Sequence, residues 1–529
     1  MLELASIFND GMILQRNSHV RIWGTSDKEQ VEISFLRKVF RTAVSNGKWV
    51  VDIDTNDSRT EETMTIIEYD NDQQTDSRII KDILLGEVWF AGGQSNMELE
   101  LINSENGKEV VKKSDYDEIR FFIVPKCAYI DSEYTDAWKE TGWKKAKGKQ
   151  CENASAVAYY FARNLYEELN VPVGIIGCYW GGTSATCWIS EKYIDGIDEV
   201  NNYIDGWNSC CISKSDEQYA KEMEAYEEDY NNWVNAVEGL REKNPLISWI
   251  DINEIAGPCP WPQPRGRKSP FRPFGLHETM VSKVAPYGIK GFIYYQAEED
   301  SDKAEYYHKL NSAVIEQFRN DFSIEKDVKK PFYILQLPMY QENGKLDDKT
   351  WCTLRQEQKK CSDITEETYI VSLIDLGEFD NIHPVNKEIP GTRLAERVLN
   401  KTYHIGEDIE YLECCKVNFK NTECVLSFEN EYDGICVKYS EGTLTGTIDE
   451  AVLLTDNSVS QVKGLEASVN GIDYFRPIIK IEDGQMHLST EEEERIISVR
   501  YAWFNYGIAN LYNSHKYPLL PFCISDNNI

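Results

Sequence analysis

Residues 83–97 read Ile-Leu-Leu-Gly-Glu-Val-Trp-Phe-Ala-Gly-Gly-Gln-Ser-Asn-Met, and this stretch decides the fold. Its apolar first half predicts a buried strand, and Ser95 stands just beyond the end of that strand. A tight turn that uses Gly93 between strand and helix exposes the serine hydroxyl and lets nearby backbone N–H groups point at one spot. The stretch therefore predicts a strand–turn–helix unit that carries a nucleophile for acyl transfer.

The pattern on either side of this stretch predicts three domains. Residues 1–81 alternate apolar and polar residues in short bursts, which indicates an N-terminal β-sandwich. Residues 82–400 place strands before helices, which predicts an α/β domain with a parallel sheet covered on both faces. Its predicted elements are strands at residues 84–90, 172–178, 289–295, 332–337 and 369–374 and a helix at 154–169. Residues 401–529 return to short strands and predict a C-terminal β domain.

An insertion at about residues 200–275 interrupts the pattern of the central domain. Apolar residues spaced alternately four and three apart predict a helix with one apolar seam: Tyr219, Met223, Tyr226, Tyr230, Trp233, Val237 and Leu240. Packing of this seam on the central domain is the preferred interpretation, and a dimer seam, which would make the protein an oligomer, is the alternative. The proline-rich stretch 257–275 predicts a lid or binding wall, with a solvated surface loop as the alternative.

The charge of the chain restricts its partners. The net charge of −33, from 56 Lys and Arg against 89 Asp and Glu, repels nucleic acid and anionic membrane surfaces. No apolar run approaches the roughly 18 residues of a membrane span, and the first residues lack the basic start and apolar core of a secretory signal. We therefore expect a cytoplasmic protein with neither nucleic acid nor a membrane as partner. The cysteines lack paired C-x-x-C spacing and no H-E-x-x-H motif occurs, so no metal is expected.

A serine nucleophile needs a base and a group that orients the base, and residues 380–383 offer both. His383 follows the predicted strand 369–374 by a short loop, and Asp380 precedes it by three residues. At this spacing the carboxylate can bond one ring nitrogen while the other faces Ser95. Glu305 and His308 have the same spacing but lie in a predicted helix, where a surface contact is the better interpretation.

Two further strand ends offer donors for an oxyanion. Gly181 and Gly182 follow the strand predicted at residues 172–178, where a backbone N–H can approach the reacting carbonyl. Gln296 ends the strand predicted at residues 289–295, and its side-chain amide is another candidate donor. Glu298 is interpreted as a supporting residue that positions Gln296 or a loop, rather than as a direct acid or base.

Four segments taken together resemble the motifs of the sialate O-acetylesterase family of SGNH hydrolases. They are Gly93-Gln94-Ser95-Asn96-Met97, Trp180-Gly181-Gly182-Thr183, Tyr295-Gln296-Ala297-Glu298 and Asp380-Asn381-Ile382-His383-Pro384-Val385-Asn386-Lys387. Residues 7–16 are similar to that family's N-terminal β domain, and residues 499–513 resemble its C-terminal signature. The resemblance covers nearly the whole chain except the insertion, and it implies an SGNH-hydrolase-like parallel sheet flanked by helices.

The resemblance implies a role for each residue of the site. Ser95 is the nucleophile, His383 the general base and acid, and Asp380 its orienter. The backbone amides of Ser95 and Gly182 form the oxyanion hole with Gln296, and Gln94 and Glu298 support them. The implied activity is the removal of acetyl groups from sugar hydroxyls without a cofactor.

The chain departs from the family pattern in three places. The family usually has glycine where Ala297 stands, a small residue where Glu299 stands, and Tyr-Asn where this chain has His277 and Glu278. We expect the second and third departures to line the substrate side, which leaves the identity of the sugar open. The candidate substrate-binding residues are Trp261, Arg265, Arg267 and His277.

Two substrates therefore compete, and one function of another class remains. Sialic acid is the family's eponymous substrate, and the basic cluster that begins at Arg265 can hold its carboxylate through charge-assisted bonds. The net charge of −33 slows the approach of any anion, so neutral acetylated xylan or mannan oligosaccharides are the alternative. A non-catalytic carbohydrate-binding protein with a vestigial serine is the other class, although such a protein needs none of the four motifs.

Overall fold

A computed structural model of the chain describes residues 1–211, 213–244, 247–324, 328–407, 409–439, 451–482 and 485–526. It is a mixed α/β protein with several sheets, as the sequence predicts. In the described ranges no helix is both long enough and apolar enough to cross a bilayer.

The strands fall into three groups along the chain. The N-terminal strands are β1 (Glu3–Leu4), β2 (Ile13–Gln15), β3 (His19–Thr25), β4 (Gln30–Phe35), β5 (Lys38–Ala43), β6 (Lys48–Asp54), β7 (Glu62–Asp70) and β8 (Gln73–Gly93). The central strands are β9 (Asp115–Ile123), β10 (Trp143–Lys147), β11 (Val173–Tyr179), β12 (Gly291–Tyr295), β13 (Phe332–Leu335) and β14 (Thr368–Val371). The C-terminal strands are β15 (Glu413–Phe419), β16 (Glu423–Glu429), β17 (Ile435–Lys438), β18 (Ala451–Leu453), β19 (Leu465–Ser468), β20 (Ile478–Glu482), β21 (Gln485–Ser489), β22 (Ser498–Tyr501), β23 (Leu511–Asn513) and β24 (Phe522–Ser525).

The α-helices lie mainly in the central region and the insertion. They are α1 (Ser95–Glu98), α2 (Gly107–Lys113), α3 (Ser132–Glu140), α4 (Ala156–Leu169), α5 (Asp198–Cys211), α6 (Asp216–Lys243), α7 (Trp249–Ala256), α8 (Ser282–Val284), α9 (Tyr307–Asp321), α10 (Thr350–Ile364) and α11 (Glu388–Tyr403). A π-helical turn at His277–Val281 precedes α8, and a 3-10 segment at Glu298–Tyr306 precedes α9.

Strand β8 is 21 residues long and joins the N-terminal region to the central sheet. Its first half pairs antiparallel with β7, and its second half pairs parallel with β11 on one side and β12 on the other. The side chains are mostly exposed at first and continuously buried from Ile83 onward, because helices then cover both faces. The predicted domain boundary at residue 81 thus falls inside one strand, and a single hydrophobic core extends across it.

The central sheet has the strand order β10-β9-β11-β8-β12-β13-β14. Strand β10 is antiparallel to β9, and the others run parallel to one another. Strand β8 lies at the centre, so the residues after Gly93 emerge in the middle of the carboxyl edge of the sheet. In open α/β sheets this edge is where ligands bind.

Two neighbouring aromatic residues of β8 show how the sheet is covered. Trp89 packs edge-on against Phe161 of α4, with ring centroids 5.4 Å apart. The next residue, Phe90, packs edge-on against Phe318 of α9 at 5.5 Å. Because successive strand residues face opposite sides, α4 and α9 lie on opposite faces of the sheet. Helix α11 packs beside α4, which gives the layered arrangement expected from the sequence.

Every strand predicted for the central sheet is present, with shifted ends, and the predicted helix 154–169 is α4. The helix begins two residues later than predicted because Ser155 caps it, its hydroxyl accepting a hydrogen bond from Ala158 N at 3.1 Å. Strands β9 and β10 were not predicted. Charged residues alternate along the first half of β9 and through β10, which weakens the apolar signal of a strand.

The insertion forms helices α5, α6 and α7 followed by the proline-rich segment 257–275. The predicted seam helix is α6, but its seam does not lie in the central core. The Tyr226 hydroxyl donates to Pro260 O at 3.1 Å, and Trp233 Nε1 donates to Gly257 O at 2.9 Å. The seam therefore holds the proline-rich segment, which corrects the preferred interpretation, and self-association through α6 stays a prediction.

The C-terminal strands form three small sheets around a second hydrophobic core. That core includes Met339 and Ile374, which come from loops of the central region. A buried ion pair between Arg393 of α11 and Asp375 adds a polar link, since Tyr512 of β23 also donates to Asp375 at 3.3 Å. The C-terminal region is therefore fixed to the loops that follow β13 and β14.

Candidate active site

Ser95 lies in a turn that only a glycine can begin. We call residues 93–98 the nucleophile turn. Gly93 has a φ of 135°, and a Cβ there would lie 2.0 Å from Tyr295 O of the neighbouring strand. The turn continues with Gln94, whose N–H donates to Tyr295 O at 3.1 Å, and Ser95 opens helix α1. The nucleophile is thereby fixed by the backbone of two adjacent strands.

The structure brings Ser95 and His383 together although 288 residues separate them. His383 Nε2 lies 2.7 Å from Ser95 Oγ, which is hydrogen-bond distance. His383 belongs to the segment 378–387, which we call the histidine loop. Its backbone is held by Asn381, whose Oδ1 accepts from His383 N at 3.0 Å, and by Glu378, whose Oε1 accepts from Val385 N at 3.1 Å.

The surroundings of His383 favour its neutral form. The protein around the imidazole and the nearby Lys387 ammonium both lower its pKa, to about 4. The ring nevertheless stays open to solvent on one side. A neutral imidazole next to a serine hydroxyl is the form that accepts a proton, so the pair is arranged for general-base chemistry at neutral pH.

The structure does not bring Asp380 to the ring of His383. Asp380 Oδ2 accepts from Asn253 Nδ2 of α7 at 3.0 Å, and its Oδ1 accepts from Asn343 N at 2.8 Å. The residue has a φ of 59°, and this left-handed backbone turns its side chain away from the histidine. The predicted contact is therefore corrected, and Asp380 is buried in a small polar cluster that includes the insertion.

A buried polar network joins the nucleophile turn to the histidine loop. Asn96 Nδ2 donates to Glu298 Oε1 at 2.6 Å and to Ile382 O at 2.9 Å, and Lys387 Nζ donates to Asn96 Oδ1 at 2.6 Å. Burial raises the pKa of Glu298 and lowers that of Lys387 to about 7. Glu298 Oε2 has no hydrogen-bond partner among the described residues. Glu298 thus bonds Asn96, which in turn bonds the histidine loop, and its predicted supporting role stays a prediction.

Two backbone amides are free to form an oxyanion hole. Ser95 is the first residue of α1, where an N–H has no intrahelical partner. The N–H of Gly182, whose φ is 71°, donates to no other backbone or side chain in the described part of the chain. A Cβ on the neighbouring Gly181 would lie 3.2 Å from Ser95 Cβ. Residues 180–183, which we call the glycine loop, therefore closely approach the nucleophile.

The Gln296 amide faces the protein instead of the oxyanion position. Its Nε2 donates to Thr183 O at 2.7 Å, to Gln94 Oε1 at 2.9 Å and to Asp300 Oδ2 at 3.2 Å. An amide nitrogen has only two hydrogens, so none is left for a substrate oxygen. The predicted donor role is therefore corrected: Gln296 links the glycine loop to Gln94 of the nucleophile turn.

Trp261 lies directly on the glycine loop. A Cβ at Gly182 would be 2.0 Å from Cη2 of the Trp261 indole, so only glycine allows this approach. The indole packs edge-on against Phe271, with centroids 5.7 Å apart, and remains 47% exposed. Of the predicted substrate-binding residues, Trp261 is the one in contact with the candidate oxyanion hole.

Arg267 and His277 are engaged away from the nucleophile. Arg267 makes two hydrogen bonds to Asp216, at 2.5 and 2.6 Å. His277 Nε2 lies 2.8 Å from Oδ2 of Asp321, the last residue of α9. Because α9 runs back from the carboxyl edge of the sheet, its last residue lies at the opposite edge from Ser95. Both side chains are therefore paired with aspartates, and a role of either in substrate binding stays a prediction.

Arg265 has no acidic hydrogen-bond partner among the described residues. Its charge opposes the rise in the pKa of Glu299, which burial and then Asp300 bring to about 7. Arg265 is therefore a positive charge within electrostatic reach of Glu299, one of the departures from the family pattern. Ala297, the first of the departures, has a φ of 148°, a backbone conformation that favours the glycine usual in the family.

Sequence reasoning missed three residues that build the site. Asn96 and Lys387 lie within the matched motifs, and Asp300 comes shortly after the motif that ends at Glu298. Asp300 is fully buried and accepts from Ser184 Oγ at 2.5 Å and Ala185 N at 2.9 Å. The signal that could have indicated them is a polar residue close to the end of an apolar strand, inside or next to a matched motif. Over the described residues, no group of three His, Cys, Asp or Glu side chains is placed to hold a metal ion.

The chain is similar to known esterases along most of its length. It is 24% identical to mouse sialate O-acetylesterase, over 94% of this chain and 89% of that protein. It is 21% identical to the rat sialate O-acetylesterase, over 74% of this chain and 71% of that protein. No family model matches the chain. The resemblance seen in the motifs is thus confirmed by whole-chain similarity.

A solved structure shares the fold. A carbohydrate acetylesterase from Xanthomonas citri superimposes with a TM-score of 0.72 and 21% identity, over 100% of both chains. Because that match includes both flanking β regions and the insertion, the whole architecture is shared and not only the central sheet.

Proposed function

We propose that this protein is a carbohydrate O-acetylesterase, most like sialate O-acetylesterase, that works through an acetyl-serine intermediate. The observation that carries the proposal is the 2.7 Å contact between Ser95 Oγ and His383 Nε2 at the carboxyl edge of the sheet. The similarity to sialate O-acetylesterases along 94% of the chain supports the acetyl group as the group transferred.

The first half of the reaction forms the acetyl-enzyme. His383 Nε2 accepts the proton of Ser95 as Oγ attacks the acetyl carbonyl carbon. The carbonyl oxygen becomes negative and accepts hydrogen bonds from the N–H groups of Ser95 and Gly182, each worth about 3 kcal/mol of barrier. The carbon–oxygen bond to the sugar then breaks, and His383 returns the proton to the sugar oxygen.

The second half restores the enzyme. A water molecule gives its proton to His383 Nε2 and attacks the acetyl carbon of the ester on Ser95. The same two amides stabilise the second oxyanion. Acetate leaves, Ser95 Oγ recovers its proton from His383, and the cycle is complete.

The finer classification is also part of the proposal. We infer an SGNH-hydrolase arrangement, because the four motif segments meet at one edge of a parallel sheet. We also propose a cytoplasmic location, which fractionation of cells that express the protein tests. A sialic acid substrate is favoured by the relatives, and Arg265 remains the candidate for its carboxylate.

The proposal is tested by acetate release. Wild type and Ser95→Ala are assayed on p-nitrophenyl acetate and on a panel of O-acetylated sialic acids and acetylated xylan and mannan oligosaccharides. We expect wild type to release acetate, fastest from a sialic acid, and Ser95→Ala to lose at least about 10⁴-fold in kcat. If both proteins were equally inert on every ester, a carbohydrate-binding function would replace this one.

A further inference from the structure

The candidate site has an exposed aromatic ring next to its oxyanion donors. Trp261 contacts Gly182 with the six-membered ring of its indole, yet 47% of the residue is open to solvent. An exposed tryptophan beside a reacting group has a large apolar surface without a protein partner. The leaving alcohol of an ester must project from the carbon that Ser95 attacks, and Trp261 borders that space.

The insertion is built to hold this ring in place. Tyr226 and Trp233 of α6 bond the carbonyl groups of Pro260 and Gly257, which lead into Trp261. Further along, a Cβ at Gly266 would lie 2.5 Å from the ring of Tyr219, so the segment also lies flat on α6. Four separate contacts, counting that of Phe271, thus fix the indole before any ligand arrives. Such preorganisation lowers the entropy cost of binding.

A second exposed ring, that of Tyr230, lies on the face of α6 that holds the proline-rich segment. Tyr230 lies between Tyr226, whose ring is stacked on it at 5.9 Å, and Trp233, whose ring is 6.1 Å away and tilted by 31°. Tyr230 is 39% exposed, whereas the polar groups of Tyr226 and Trp233 donate hydrogen bonds to the proline-rich segment. Tyr230 therefore lies on the part of α6 that holds the segment leading into Trp261.

We propose that Trp261 and Tyr230 form a two-ring surface for an acetylated oligosaccharide, with the acetyl-bearing pyranose on Trp261 and the next sugar at Tyr230. The inference rests on the proposed function and adds to it the substrate class. A pyranose presents an apolar C–H face to an aromatic ring while its hydroxyl groups stay in water, which suits rings that are fixed but half open. A small acetyl ester such as p-nitrophenyl acetate offers neither ring a pyranose face and has no second sugar to place at Tyr230.

The test compares substrates of increasing length. Wild type, Trp261→Leu and Tyr230→Leu are assayed on p-nitrophenyl acetate, on O-acetylated sialic acid and on O-acetylated sialyllactose. Leucine keeps an apolar side chain against Gly182 and Phe271 but removes the flat ring. Tyr439→Leu, at a residue 46% exposed in the C-terminal region, is the matched control.

For Trp261→Leu we expect kcat/KM to fall at least about 10-fold more on either sugar than on p-nitrophenyl acetate. For Tyr230→Leu we expect a loss of about 5-fold on the trisaccharide relative to the monosaccharide. The control keeps every ratio within 2-fold. Equal losses on all three substrates in both variants, or ratios like those of the control, would overturn the inference. Hydrolysis of p-nitrophenyl acetate by wild type and its loss in Ser95→Ala report separately on the proposed function.

Discussion

The nucleophile turn and the histidine loop meet across 2.7 Å but are fixed by different kinds of interaction. The nucleophile turn is determined by backbone geometry, because Gly93 and Tyr295 leave room for no other path. The histidine loop is determined by side chains, through Asn96, Glu378 and Asn381. The nucleophile turn therefore tolerates no substitution at Gly93, whereas the position of the histidine loop depends on several side chains together.

The largest effect is expected where the two segments touch. His383→Ala removes the proton acceptor, and we expect kcat on an acetyl ester to fall roughly 10⁵-fold. Because the two groups act as a unit, the double variant Ser95→Ala, His383→Ala should be no slower than Ser95→Ala alone. Steady-state rates of the three variants check this. Additive losses would mean that the residues act independently and that the contact carries no chemistry.

A single methyl group should damage the nucleophile turn. Gly93→Ala places a Cβ 2.0 Å from Tyr295 O, and we expect a loss of at least about 3 kcal/mol in the free energy of unfolding and about 100-fold in kcat. Gly196→Ala is the control, since Gly196 also has a positive φ but nothing within 4 Å of a Cβ. It should cost about 1 kcal/mol. Urea unfolding and acetate release measure both, and equal effects would remove the steric argument.

The histidine loop should respond to charge. Burial and the Lys387 ammonium lower the pKa of His383 to about 4. The imidazole therefore stays neutral, and able to accept a proton, at pH values below the ordinary pKa of histidine. Wild-type kcat/KM should therefore stay level from pH 7 to about 5 and decline only below that. Lys387→Met removes the charge, so the decline should move toward higher pH.

Lys387→Met should also cost roughly 10-fold in kcat at pH 7, because the Asn96 oxygen is left without its donor. Lys387→Arg keeps the charge and serves as the control for the pH profile. A decline that stays at the same pH in Lys387→Met would show that the ammonium does not act on the histidine.

Asp380→Asn should have a modest effect, since its carboxylate bonds Asn253 and Asn343 rather than the histidine. We expect about a 3-fold fall in kcat and about 1 kcal/mol in stability. Glu298→Gln, measured beside it, should lose more activity because Glu298 bonds Asn96. A loss of 10³-fold or more in Asp380→Asn would return that residue to the role of orienting His383.

The smallest expected effect is a gain. Ala297 has a φ of 148°, so Ala297→Gly should relieve strain and raise the free energy of unfolding by about 1 kcal/mol. Thermal unfolding measures it. A lower stability would mean that the methyl group packs well enough to compensate for the backbone.

This contrast explains what the sequence could and could not predict. Ser95 and His383 were predictable because a glycine turn and a strand exit leave a local pattern. The partner of Asp380 was not, because Asn253 comes from a different part of the chain and a left-handed φ reverses the side chain. Gln296 was placed at the right strand end, but the direction of its amide depends on Thr183 and Gln94. The sequence indicates where a residue lies more readily than which way it points.

Strand β8 has a practical consequence for anyone who wishes to shorten this protein. This one continuous strand pairs with β7 over its first half, and its last residues lead directly to Ser95. Trimming the residues before Gln73 to leave a minimal catalyst would remove β7 from the first half of that strand and uncover Ile80 and Ile83. The N-terminal strands thus stabilise the strand that leads to Ser95, and a shortened protein would need another segment to pair with it.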